Sequence, residues 1–295
     1  PFPFRLNQET SPYRADRLIR PIVLSGLGSY SACREPLVNF VVNLGNSNIA
    51  MGVYDADGWV RKWRIQSVPD RMPDEYAFTI RGLFAELSRN PDEVKSVVLA
   101  SVVPTLTDTF NTCLRALFDM EPLFVSTTLD LPIQFDVGNP REVGADLIAN
   151  ACGAYNRYKT SCIVVDFGTA LTFSAVDASG SFLGAAISPG LKIAADALTK
   201  QTAQLPNVRF ELPRTAIGTD TVHAIQSGLV LGYTGLVEKI LAEMTKELGD
   251  APAIVATGGL SPVMGPRCKG IHDVDEWLTL DGLRVILDTL RPRRL

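Results

Sequence analysis

Three positions in this sequence carry side chains suited to moving a phosphoryl group: Asn43 in VVNLGNSNIA, Asp146 in VGADLIANA and Asp166 in VVDFGTALTF. Phosphoryl transfer needs donors for phosphate oxygens, a divalent ion, an acceptor hydroxyl held in line and often a carboxylate to take its proton. Gly45, Asn46, Ser47 and Asn48 supply one nest of backbone N–H and side-chain donors, and Gly168, Thr169 and Thr172 supply a second. Asp166 stands beside Gly168, placed for contact with a cation or with phosphate-bound water; the plain alternative is an Asp that bonds its own turn. Asp146 opens a helix, where an acid gains about 0.3–1 kcal/mol from the helix dipole. Facing a cleft, it is instead a general base, with Gly144 allowing close backbone approach beside it. Gly258-Gly259 ends a strand where an adenine or ribose can lie flat against the backbone, or simply makes a tight turn.

These residues recur on a common plan. VVNLGNSNIAMGVYDADGWV from Val41 lies over VVDFGTALTFSAVDASGSFL from Val164, with Asn43 on Asp166, Gly45 on Gly168 and Asn46 on Thr169. Each copy reads as strand, glycine turn, strand, Asp-containing turn, strand. Helical and strand patterns then alternate: DEYAFTIRGLFAEL, KSVVLASVV, TLTDTFNTCLRALF and PLFVS in the first half, GLKIAADALTKQ, the long DTVHAIQSGLVLGYTGLVEKILAEMTKEL, PAIVATGG and LDGLRVILDTL in the second, with VGADLIANACGAYNRY bridging the two. That order predicts an α/β fold with parallel pairing, preceded in each half by an antiparallel meander. It resembles the duplicated ribonuclease-H-like plan of the actin, Hsp70 and sugar kinase superfamily, two domains with an interdomain cleft. The expected boundaries are 37–158 and 159–295, after an N-terminal extension over 1–36.

Composition narrows the partners. The 295 residues are 46% apolar, enough for a buried core, and the net charge of −4 with dispersed basic residues argues against nucleic acid. Five widely spaced cysteines without a Cys-x-x-Cys pair argue against a disulfide framework or zinc site and favour a reducing, cytoplasmic setting. No apolar run is long enough to span a bilayer, so a membrane is not expected as a partner. Residues 1–36 are rich in Pro and Arg with little periodicity; a flexible extension or a mis-started frame is expected there, in preference to a secretory signal built on PIVLSGLG.

From Leu37 to Leu290 the chain resembles the type III pantothenate kinase family, which includes Bvg accessory factor. The resemblance rests on WRIQSVPDRMPDEYA, VVLASVVPTLTDTF, NPREVGADLIANACGAY, VVDFGTALTF, GAAISPGLKIAADALTKQTAQLP, AIGTDTVHAIQSGLVLGYTGLVE and TGGL, in that order. It implies ATP-dependent phosphorylation of the pantothenate 4'-hydroxyl, the opening step of coenzyme A synthesis, with Mg²⁺, a monovalent cation (K⁺ or NH₄⁺) and a homodimer. It also implies a first phosphate loop over Asn43 to Ala50, the base at Asp146, the cation-associated acid at Asp166, an ATP contact at Thr169 and substrate contacts at Gly144, Ala145, Asp146, Leu147, Val137 and Thr221. Read without the family, Thr221 is an early residue of a long helix.

Three positions depart from the family pattern. Its first loop reads Asp-x-Gly-Asn-Thr, whereas Asn43 and Ser47 stand at the ends here. Its Gly-Ala-Asp-Arg becomes Gly-Ala-Asp-Leu at Leu147, where the arginine holds the pantothenate carboxylate. Val137 occupies the place of a substrate-contacting tyrosine, unless a short gap moves Phe135 there. These departures keep two alternatives open: a catalytically weak or inactive nucleotide-binding or regulatory protein, and a kinase for another small hydroxylated substrate lacking a carboxylate.

Overall fold

The structure, a computed structural model, describes residues 37–202 and 204–290. The expected extension over 1–36 lies outside the described residues. Three strands, β1 (Val38–Leu44), β2 (Asn48–Tyr54) and β3 (Trp59–Gln66), form an antiparallel meander. After α1 (Pro73–Glu86), β4 (Val94–Ser101) pairs parallel to β1, and after α2 (Pro104–Phe118), β5 (Leu123–Phe124) pairs parallel to β4. The first sheet therefore runs β3-β2-β1-β4-β5.

The chain next lays β6 (Gln134–Phe135) on the far edge of a second sheet and enters α3 (Ala145–Tyr158). A second meander follows in β7 (Cys162–Phe167), β8 (Ala170–Val176) and β9 (Ser181–Pro189). Two helices, α4 (Leu191–Gln201) and α5 (Thr221–Leu248), lead to β10 (Ala253–Thr257), parallel to β7. The short α6 (Ser261–Met264), β11 (Asp273–Val274) and α7 (Leu278–Leu290) complete the described chain. The order β11-β10-β7-β8-β9-β6 repeats the first sheet, with β6 added at the edge.

Side-chain alternation along the two central strands decides what faces what. In β1, Phe40, Val42 and Leu44 join a core made with α1 and α2, whereas Val41 turns to a core built around α3 and α7. In β7, Ile163, Val165 and Phe167 pack with α4 and α5, whereas Val164 turns to that same shared core. Asn43 follows Val41 by two residues and Asp166 follows Val164 by two. Both side chains are thereby delivered to the inner face of their sheets.

Between the sheets α3 buries seven consecutive residues from Ile148 to Ala154, most of them small. Small residues let a helix approach another at backbone distance. At Gly153 an added Cβ would lie 3.1 Å from Gly282 N, and at Gly282 one would lie 1.8 Å from the Ala149 carbonyl oxygen. No side-chain rotation relieves the second clash, because the obstacle is backbone. Gly282→Ala is expected to lower stability by about 3 kcal/mol or more, while Gly82→Ala, on the exposed face of α1 with open space around it, is expected to raise it by about 0.5–1 kcal/mol; urea melts of the two variants against the parent check the pair.

Candidate active site

Each central strand ends in a glycine turn, and the two turns meet. Gly45 N donates to the Asn48 carbonyl at 3.0 Å, and Ser67, just past β3, clamps the loop by donating its N–H to the Ser47 carbonyl at 3.0 Å and its hydroxyl to the Gly45 carbonyl at 2.5 Å. On the second sheet, Gly190 N donates to the Thr169 carbonyl at 3.1 Å. The Ser47 and Thr169 hydroxyl oxygens are 2.8 Å apart, joining positions 122 residues distant in the chain.

Behind the turns lie two carboxylates. Asp146 sits in the first turn of α3 and accepts a hydrogen bond from Leu147 N at 2.8 Å. Burial raises its carboxyl above the ordinary range. One helical turn on, Asn150 is fully buried and donates its amide to Asp166 Oδ2 at 3.0 Å; Thr279, in α7, donates to Asn150 Oδ1 at 2.8 Å, which fixes the way the amide points. Burial first, then the charge of Asp146, pushes Asp166 up to about 6; the Asn150 hydrogen bond and the Arg64 charge oppose that rise. Gly258 closes in on the other oxygen. It has φ +88°, and a Cβ there would lie 2.3 Å from Asp166 Oδ1, so only glycine suits the position.

A single cavity of about 170 Å³ gathers Asn43, Gly45, Asn46, Ser47, Asn48, Asp146, Asp166, Gly168, Thr169, Gly258 and Gly259. Gly144 and Ala145 flank Asp146 without lining that cavity, and Leu147, Val137 and Thr221 do not line it either. Leu147 is half-buried, Val137 packs against the core shared by the two sheets, and Thr221 is exposed as the first residue of α5. The cavity wall also contains side chains that sequence reading did not single out: Arg64 from β3, Glu276 and Trp277 from the approach to α7, and Thr279 from its first turn. Asn150 carried one overlooked signal, its spacing of four from Asp146, which puts both on one helix face. The others lie far along the chain from the motifs they join.

Hard oxygen donors dominate the floor of this cavity. Asn43 Oδ1 is buried without a hydrogen-bond partner, and it shares the cavity with the Asp146 and Asp166 carboxylates. Among the described residues no group of three or more His, Cys, Asp or Glu side chains could hold a metal ion alone. The donor set fits a cation that arrives with phosphate oxygens and retained water, which is the habit of Mg²⁺.

The family model for type III pantothenate kinase matches residues 39–243. A type III pantothenate kinase of Anaeromyxobacter sp. (strain K) is 44% identical over 247 residues, covering 83% of this chain and 96% of that protein. One of Geobacter sulfurreducens is 43% identical over 253 residues, covering 85% and 98%. Among solved structures, the ethanolamine utilization protein EutJ of Carboxydothermus hydrogenoformans aligns with a TM-score of 0.52 at 13% identity, over 85% of this chain and 90% of that one. The activator of the 2-hydroxyisocaproyl-CoA dehydratase of Clostridium difficile, with bound ADPNP, aligns at 0.50 and 12% identity, over 85% and 95%. These likenesses, with the repeated strand order, show the duplicated ribonuclease-H-like fold of the actin, Hsp70 and sugar kinase superfamily. By the match over most of its length, the chain belongs to the type III pantothenate kinase family.

Proposed function

We propose that this protein transfers the terminal phosphoryl group of ATP to the 4'-hydroxyl of pantothenate, the opening step of coenzyme A synthesis. The observation that carries this reading is the meeting of the two glycine turns over a cavity that also holds the Asp146 carboxylate. The turns' N–H groups and the Ser47 and Thr169 hydroxyls are donors for phosphate oxygens. Asp146 accepts the proton of the attacking hydroxyl. Its bond from Leu147 N occupies one carboxylate oxygen and leaves the other for that proton.

The cations belong to this proposal. Mg²⁺ carried by the nucleotide would be held by the Asn43 and Asp166 oxygens and would neutralise phosphate charge. A monovalent cation, K⁺ or NH₄⁺, is assigned to Asp166. Leu147 offers the pantothenate carboxylate no charge, so pantothenate is bound more weakly than an arginine at that position allows.

A homodimer is supported by the apolar surface of the second half. The Tyr233 hydroxyl donates to the Pro189 carbonyl at 2.8 Å, tying α5 to the end of β9. Around these elements Ile187 is 70% and Ile217 83% exposed, and Val222 and Leu231 are exposed as well. Large exposed apolar side chains on β9 and α5 suit a two-fold contact between copies. Four free, buried cysteines, Cys113, Cys152, Cys162 and Cys268, support a reducing cytoplasmic setting, and no helix among the described residues is long and apolar enough to cross a membrane.

An ADP-release assay with pantothenate, potassium and excess Mg-ATP tests the activity. Asp146→Asn is expected to lower kcat by about 10²–10⁴ while ATP still binds; calorimetric ATP binding by the parent without turnover would point instead to a nucleotide-binding protein. The base must be ionised to act, and burial raises its carboxyl. The acid limb of kcat/KM is therefore expected above the ordinary carboxylate range, with activity falling as pH drops through it. Leu147→Arg is expected to lower the pantothenate KM about tenfold, the equivalent of roughly 1.4 kcal/mol, with ATP KM unchanged. Sedimentation at micromolar concentration is expected to show a dimer that Leu231→Glu converts to monomer.

A further inference from the structure

We propose that Arg64 is a binding residue for the terminal phosphates of the nucleotide, an inference that rests on the ATP-cleft reading above. Its position follows from strand register. Asn43 pairs with Ala50 across β1 and β2, and Ala50 pairs with Arg64 across β2 and β3. Residues directly opposite one another project from the same face of a sheet. Arg64 therefore projects from the inner face, in one row with Asn43, and the methyl group of Ala50 between them leaves the guanidinium room. All three line the cavity.

Charge makes the position matter. The cavity wall carries three acids, Asp146, Asp166 and Glu276, against one basic side chain, Arg64. A triphosphate entering such a wall meets repulsion that fixed positive charge must offset. Arg64 also lines a neighbouring hollow, beside Lys192 and Phe210. Arg64 thus borders both hollows, together with Ser47 and Thr169.

The guanidinium is held in place without being used up. It lies over the Trp277 ring at 4.6 Å, donates from Nη2 to the Glu276 carbonyl at 3.3 Å, and keeps Nη1 at 3.9 Å from the Glu276 carboxylate, with 28% of the side chain exposed. An arginine has five N–H donors in a planar fork that matches phosphate oxygens in pairs. The neutral amide at Asn43 bears on this directly. An acid there, in the same cross-strand row, would compete with phosphate for the fork.

Calorimetry of the full chain with ATP and with AMP, in the parent, Arg64→Ala and Arg64→Lys, tests the assignment. Arg64→Ala is expected to weaken ATP about thirtyfold or more and AMP by no more than about twofold, with Arg64→Lys recovering part of the loss. Stacking on Trp277 supplies a second readout: ATP is expected to change the tryptophan emission of the parent, and this change is expected to vanish in Trp277→Phe. Equal ATP affinity in parent and both variants overturns the proposal, as does equal weakening of ATP and AMP. If Arg64→Ala melts early, Arg64→Lys decides: full ATP affinity with full stability counts against a paired phosphate contact. A parent chain that binds neither nucleotide overturns the cleft reading itself, an outcome distinct from binding that ignores Arg64.

Discussion

The backbone contact between α3 and α7 is the constraint on which the site depends. At Gly153 and Gly282 the helices meet at backbone distance, and at that separation Thr279 reaches Asn150 and Asn150 reaches Asp166. The same helix carries Asp146 at its first turn. One packing decision therefore sets the orientation of an amide, the direction of a carboxylate on the second sheet and the depth of the other acid. Packing here is inseparable from chemistry, because the groups that line the cavity hang from the helices that fill the core.

The arrangement is held against its own electrostatics. Two acids share a poorly hydrated space, and both are raised above the ordinary carboxylate range. A raised carboxyl binds its proton in the folded chain at pH values where the unfolded chain has already released it. The folded state is therefore favoured below the unfolded value and loses that advantage as pH rises through the folded value, about 6 for Asp166. Such a pair weakens the fold at neutral pH and is the kind of preorganised charge that a bound cation or a transferred proton relieves.

Much of this was legible in the sequence. Period-two alternation and glycine turns exposed the repeat, and the alignment of Asn43 with Asp166 is reproduced in the structure, each being the next-to-last residue of its central strand. Helix patterns such as DEYAFTIRGLFAEL and LDGLRVILDTL match α1 and α7 closely. What escaped is non-local. Arg64 meets Trp277 and Asn150 meets Thr279 across more than a hundred residues, and no spacing in one strand or helix reports such a meeting. The two-residue strands β6 and β11 are too short to carry a period. Leu147, Val137 and Thr221 came from resemblance alone, and they stand apart from the cavity that the residue-level reading assembled.

The contact between Ser47 and Thr169 has a consequence for how the cleft rests. The two hydroxyls satisfy each other across the paired turns, like clasped fingers. Parting a neutral pair of this kind takes on the order of 1 kcal/mol, about a fivefold handicap on nucleotide affinity. On the proposed reading, a contact this weak is one that a triphosphate can undo.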